Sequence, residues 1–172
     1  MTRPTILRAI GFDPGSAHTG YCVVELGRDA RGLVRYVEGG VIESDGTESD
    51  HFDALISYAH DIIAIERPGE FIKSTDGPKA ATATAKALIR ASHVSGQVYA
   101  LARSRTGATP FELGAAEVRR AICGRPNATD AMVKAAVTRW TVDLPRVANH
   151  VRDALAVATV ALWHEGKRWG LA

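Results

Sequence analysis

A chain of 172 residues, 46% of them hydrophobic, is expected to form one domain, residues 1–172, around one core; with no apolar run of 18 residues it offers no membrane-spanning helix. The two cysteines, Cys22 and Cys123, stand in unrelated apolar contexts, which argues against a disulfide or a zinc site and makes a reducing, cytoplasmic setting the default. Net charge is only +2, yet residues 29–66 carry nine Asp/Glu against two Arg, and residues 67–140 carry twelve Lys/Arg against five Asp/Glu.

That asymmetry fits either two ordinary solvated faces or one face turned toward a polyanion. The first residues lead straight into a strand and contain no signal-peptide segment. Residues 5–12 predict a strand that ends on Asp13, before a Pro14-Gly15-Ser16 turn. Residues 21–26 and 34–42 predict two further strands, separated by a turn at Gly27-Arg28-Asp29-Ala30-Arg31-Gly32, and the three make an antiparallel meander. A helix is expected from residue 49 or 50, with Phe52, Leu55, Ile56 and Ala59 on one face. The run Ile62-Ile63-Ala64-Ile65 reads as a buried central strand that ends on Glu66.

Residues 67–79 hold Pro68, Gly69, Gly77 and Pro78 and predict a loop. A long helix over about 80–104 carries a stripe of small residues, including Ala87, Ala91, Val94 and Val98, that permits close approach of another element. A short strand at 109–113 and a helix at 115–122 follow, then a helix at 130–141 capped by Asn127 or Thr129. The last helix, about 148–165, has Asn149 as its expected N-cap and buries Val151, Ala154, Leu155, Ala158 and Leu162. The class is α/β: a mixed five-stranded sheet flanked by helices, in an order similar to that of ribonuclease H-like folds.

Two acids thus stand at apolar strand ends, Asp13 and Glu66. In a ribonuclease H-like sheet those strands are neighbours. The last helix adds His150 and Asp153, three residues apart and on one face near the positive end of its dipole. Singly, each has a plain structural reading: a turn residue, a solvated strand end, a surface or capping histidine. Asp153 is harder to dismiss, because a buried unpaired carboxylate is costly. Together they suit a divalent-metal nuclease, in which carboxylates hold Mg²⁺ or a pair of ions that clamp a phosphate.

With these residues in place the chain resembles the RuvC family of Holliday-junction resolvases over nearly its whole length. Gly11-Phe12-Asp13-Pro14-Gly15-Ser16 with Thr19-Gly20-Tyr21 is similar to the family's first motif. Ala64-Ile65-Glu66 is similar to the second, Glu117-Val118-Arg119-Arg120-Ala121-Ile122 with Gly124 to the basic third, and Arg152-Asp153-Ala154-Leu155 to the C-terminal one. The resemblance implies metal-binding, catalytic acids at Asp13, Glu66 and Asp153, with His150 at a fourth position that is usually Asp. It implies Mg²⁺ (or Mn²⁺), with two ions per site, and a homodimer, formed through the long helix, that makes paired nicks in a four-way junction. DNA contacts are expected from Arg119, Arg120, Arg125 and Lys134, with Arg67, Phe71, Lys73 and Lys79 in and beside the loop after Glu66. Whether a branch-migration helicase acts alongside stays open. Two departures bear on junction selectivity: Arg67 stands where the family commonly has Gln, and Asp130 where it has a basic residue.

Three competing functions are weighed. Asp13-Pro14-Gly15-Ser16 also resembles the phosphate loop of actin- and sugar-kinase-like ATPases, but the chain lacks a second lobe. A ribonuclease H-like nuclease that cuts flaps and forks with looser selectivity is compatible with the unusual 67–71 segment. A junction binder without catalysis conflicts with acids at all three main positions.

Overall fold

The computed structural model describes residues 5–27, 32–58, 60–69 and 78–170, with the backbone alone over 78–84. Its elements are β1 (Ile6–Pro14), β2 (His18–Gly27), β3 (Val34–Glu43), α1 (Glu48–Ser57), β4 (Ile62–Arg67), α2 (Pro78–Thr106), β5 (Phe111–Gly114), α3 (Ala115–Cys123), α4 (Asp130–Trp140), β6 (Thr141–Val142) and α5 (Asn149–Trp169). The strands form one sheet in the order β5-β4-β1-β2-β3-β6. β1, β2 and β3 are the antiparallel meander, while β4 runs parallel to β1, and β5 to β4.

Strand alternation sorts the core into two layers. Leu7 and Ala9 of β1 and Ile62 and Ala64 of β4 face α5, with α3 and α4 completing that side. Ile10, Phe12, Ile63 and Ile65 face the other way, onto Phe52 and Ile56 of α1 and Val94, Val98 and Ala102 of α2. The stripe of α2 therefore serves the monomer's own core along Ala91, Val94, Val98 and Ala102. A buried Glu25 on β2 is compensated by Arg8, whose Nε donates to it at 2.9 Å, and by Arg35; unpaired, that carboxylate would be a costly thing to bury.

Two expectations need correction. The sheet has six strands, not five: Thr141 and Val142 pair with Val34 and Arg35 along the outer edge of β3. A two-residue strand is too short to show any alternation, and only the path of the chain beside an open edge creates it. Nor is Asn149 the N-cap of α5. Ala148 holds that position in an extended conformation with no side-chain cap, Asn149 is the first helical residue, and its side chain accepts a hydrogen bond from Arg152. For α4 the cap is Thr129, whose hydroxyl accepts from the backbone N–H of Met132. Among the described residues no helix is long and apolar enough to cross a membrane.

Candidate active site

The site begins with the two-residue period of β1 and β4. Gly11 of β1 pairs with Ala64 of β4, and Phe12 with Ile65. One step on, Asp13 and Glu66 close the two strands on the α5 side of the sheet, in line with Gly11 and Ala64. An apolar strand interior thus ends in two carboxylates on adjacent strands and one face.

Helix α5 brings the other two groups, and two glycines set how close it comes. A Cβ on Gly20 would lie 2.1 Å from the carbonyl oxygen of His150, and one on Gly11 would lie 2.3 Å from that of Ala154. The helix backbone therefore rests on the strand backbones of β1 and β2, with no side-chain layer between them. His150 and Asp153 ride on the first turns of the same helix and are carried to the strand ends. Nδ1 of His150 stands 2.8 Å from Oδ2 of Asp13. With Nδ1–H donated to the carboxylate, Nε2 is left as the acceptor.

The acids sense one another. Burial raises the Asp13 carboxyl, against the opposing hydrogen bond and charge of His150. Glu66 is pushed up to about 8, first by burial and then by the charges of Asp13 and Asp153, with Arg119 opposing. Asp153 is raised by burial and by Asp13, with Arg152 among the charges that pull the other way. Three carboxylates could offer oxygen donors to a hard divalent cation, and a cation would relieve their mutual repulsion. Among the described residues no three His, Cys, Asp or Glu side chains converge closely enough to hold an ion as they stand.

The basic residues divide. Arg120, Arg125 and Lys134 are exposed on α3, α4 and the turn between them. Arg119 is already engaged: it donates to the carbonyl of Ala128 at 3.0 Å and to Asp130 at 2.9 Å. The acid at position 130 thus ties α4 to an arginine whose charge reaches Glu66. Arg67 is exposed and, by alternation, lies on the opposite face of β4 from Glu66. Phe71 and Lys73 lie outside the described residues, as does the side chain of Lys79, which sits in the first turn of α2.

One group was missed from sequence. His18, at the start of β2, has Nδ1 2.8 Å from Oε2 of Glu43, and its ring centroid lies 6.3 Å from that of His150. It follows the turn by only a few residues, and nothing in its spacing marks it. The pairing of His18 with Glu43 across the meander brings it to the site.

The family model for crossover junction endodeoxyribonuclease RuvC matches residues 9–161. Among curated relatives, the crossover junction endodeoxyribonuclease RuvC of Acidiphilium cryptum is 34% identical over 171 residues, covering 94% of this chain and 93% of that one. That of Pelobacter propionicus is 30% identical over 167 residues, covering 91% and 86%. Among solved structures, Thermus thermophilus RuvC superposes with a TM-score of 0.70 at 21% identity, covering 96% of this chain and 98% of its own. The same protein in complex with a Holliday junction substrate gives 0.71 at 19%, covering 95% and 97%.

Proposed function

Since the chain belongs to the RuvC family of crossover junction endodeoxyribonucleases, we propose that it resolves four-way DNA junctions by hydrolysis at the site formed by Asp13, Glu66, His150 and Asp153. Resolution of Holliday junctions is the activity of the family, and the Thermus thermophilus structure was solved on such a substrate. The observation that carries the site is the meeting of Asp13 with His150 at 2.8 Å, at the end of a strand whose neighbour ends on Glu66.

In this reading Asp13, Glu66 and Asp153 hold divalent cations, with Mg²⁺ or Mn²⁺ and two ions per site as the fit to an oxygen-rich set. Bound there, the ions supply Lewis-acid charge on the phosphate and lower the pKa of the attacking water. The protein's own work is positional. Asp13 orients the imidazole of His150 so that Nε2 faces out as a ligand or proton acceptor. Glu66 must lose its proton before it can ligate. Arg119 offsets part of the acids' charge, while Arg120, Arg125 and Lys134 hold flanking phosphates without reading sequence. A homodimer with paired sites matches the two symmetric nicks a four-way junction needs. Two free cysteines, Cys22 buried and Cys123 partly so, suit a cytoplasmic setting.

The test is a cleavage assay on a mobile four-way junction, a flap and a plain duplex in Mg²⁺. Junctions should be cut in paired nicks and duplex left intact. Equal cutting of flaps would favour the looser branched-DNA nuclease. Asp13→Asn should lower cleavage by at least about a thousandfold while junction binding persists. Parental activity in that variant would sink the site assignment.

A further inference from the structure

Beyond Arg35 the outer edge of β3 is open. The strand β6 pairs only with Val34 and Arg35, and among the described residues no other strand and no loop backbone bonds to residues 36–43 on that side. Val37 and Val41 on this stretch are 37% and 40% exposed. An open edge presents N–H and C=O groups ready to pair with another chain, and proteins commonly blunt it with lysine, proline or a covering element. Residues 36–43 contain neither Lys nor Pro.

A cavity of about 590 Å³ runs alongside this edge. Register puts Glu38 opposite Val23 and Gly40 opposite Tyr21, so these residues share the side of the sheet that faces α1. Helix α1 sends Phe52 and Ile56 into the core and lines the cavity with Leu55 and Tyr58. The Tyr21 ring lies across β3: a Cβ on Gly40 would come within 2.8 Å of its Cε1. Gly40 has no positive φ, so the ring, and not the backbone, requires glycine there. Tyr58, at the end of α1, is 66% exposed. The carboxylates of Glu38, Glu43 and Asp45 complete the lining, and no Lys or Arg joins them. Among the described residues no ion pair engages Glu38 or Asp45. Two tyrosines among carboxylates complement a cation on an aliphatic stem.

We propose that β3 and this cavity bind an extended segment of a partner protein that carries lysine or arginine at alternate positions. The segment adds as a strand along residues 36–43, and its backbone completes the open ladder. Alternation then turns every second side chain to the α1 side, where a cationic head meets Glu38 or Glu43 and its stem lies on Tyr21 and Tyr58. Charge selects this occupant. Carboxylates grouped in this way repel DNA phosphates, so this surface is not the one that holds the junction. The binding goes beyond the nuclease reading and does not depend on it.

The test uses the full chain and three fluorescein-labelled ten-residue peptides. One alternates lysine with valine, one alternates glutamate with valine, and the third is the lysine peptide N-methylated along its backbone. In anisotropy titrations at about 50 mM salt the lysine peptide should bind saturably, and the other two at least about tenfold more weakly. Its addition should shift the amide resonances of residues 36–43 and of α1 in ¹H–¹⁵N spectra. Glu38→Lys should weaken binding about tenfold and Tyr58→Ala about threefold. Both side chains are exposed, so melting temperature and junction cleavage should stay at the wild-type level. No binding of the lysine peptide, equal binding of either control peptide, undiminished binding by Glu38→Lys, or shifts confined to the acids of the active site would each overturn the proposal. A change of oligomeric state in Glu38→Lys, read by gel filtration, assigns the edge to a contact between copies and also overturns it. None of these binding readouts is cleavage, so their failure leaves the nuclease reading standing.

Discussion

At the scale of single residues the site is a problem of charge. Asp13, Glu66 and Asp153 are each partly withdrawn from water and each raised in pKa, and Glu66, at about 8, most of all. Against its ordinary 4.5, a raised native value means that the folded, metal-free chain keeps a proton the unfolded chain gives up. Stability from this group is therefore full below about pH 4.5 and is lost as pH rises through about 8. Glu66→Gln removes the titration. In the metal-free protein at about pH 9 it should raise the melting temperature by roughly 5–10 °C, equivalent to a few kcal/mol, with little change at about pH 4. The same melts in Mg²⁺ should show wild type stabilised more at high pH than at low, because ion and proton compete for one carboxylate. A pH-independent difference between the two proteins would show that Glu66 is not held protonated. Glu25 shows the contrary balance: burial alone would raise it, but hydrogen bonds and charge from Arg8 and Arg35 hold it below the ordinary carboxylate value.

At the scale of elements the decisive contact is α5 on the backbones of β1 and β2. Gly11 and Gly20 are where the helix rests, and the opposing atoms are main-chain carbonyls that cannot swing aside as a flexible side chain can. Gly20→Ala should therefore push α5 off the sheet. The expected cost is at least about 1–3 kcal/mol, read as a shift in denaturation midpoint, with cleavage falling further than stability because His150 and Asp153 leave Asp13. Among the described residues a Cβ on Gly27 of the same strand meets nothing within 4 Å, which makes Gly27→Ala the control. If both variants cleave alike, the helix does not need that close approach. The α3–α4 unit is tied by Arg119 to Asp130 and to Ala128, which gives the acid at position 130 a structural role inside a basic surface.

For the whole molecule, the acidic and basic stretches of the sequence meet on one side of the sheet, where Arg105 of α2 pairs with Asp53 of α1. Acids of the first half gather around the meander and α1, where Glu38, Glu43 and Asp45 line a cavity of about 590 Å³ with Tyr21 and Tyr58. Cations of the second half include Arg120, Arg125 and Lys134, exposed on α3, α4 and the turn between them. Their α3–α4 unit packs beside α5, which carries two of the site's groups. Binding to a junction should weaken linearly in log–log salt plots. Arg120→Ala should reduce the magnitude of that slope by about 1 with equal loss on every sequence; an unchanged slope would remove Arg120 from the contact set. Lysine at that position should restore most of the slope, since a phosphate contact of this kind needs charge more than shape.

The sequence by itself determined five of the six strands and the helices, because apolar periodicity is local. It also determined the acids at the ends of β1 and β4, because a carboxylate closing an apolar run stands out wherever the chain goes. It supplied the motifs that place the chain in its family. Tertiary structure decided what depends on distant segments meeting. The edge strand β6 exists only because the chain passes the open side of β3. His18 joins the site through pairing across the meander, and Arg119 is held by Asp130 from the next helix. Gly11 and Gly20 read only as motif glycines in one dimension; against α5 they are the surface that sets the spacing of the site. Such contacts leave no period or spacing in the sequence, because each is fixed by the shape of the partner it meets.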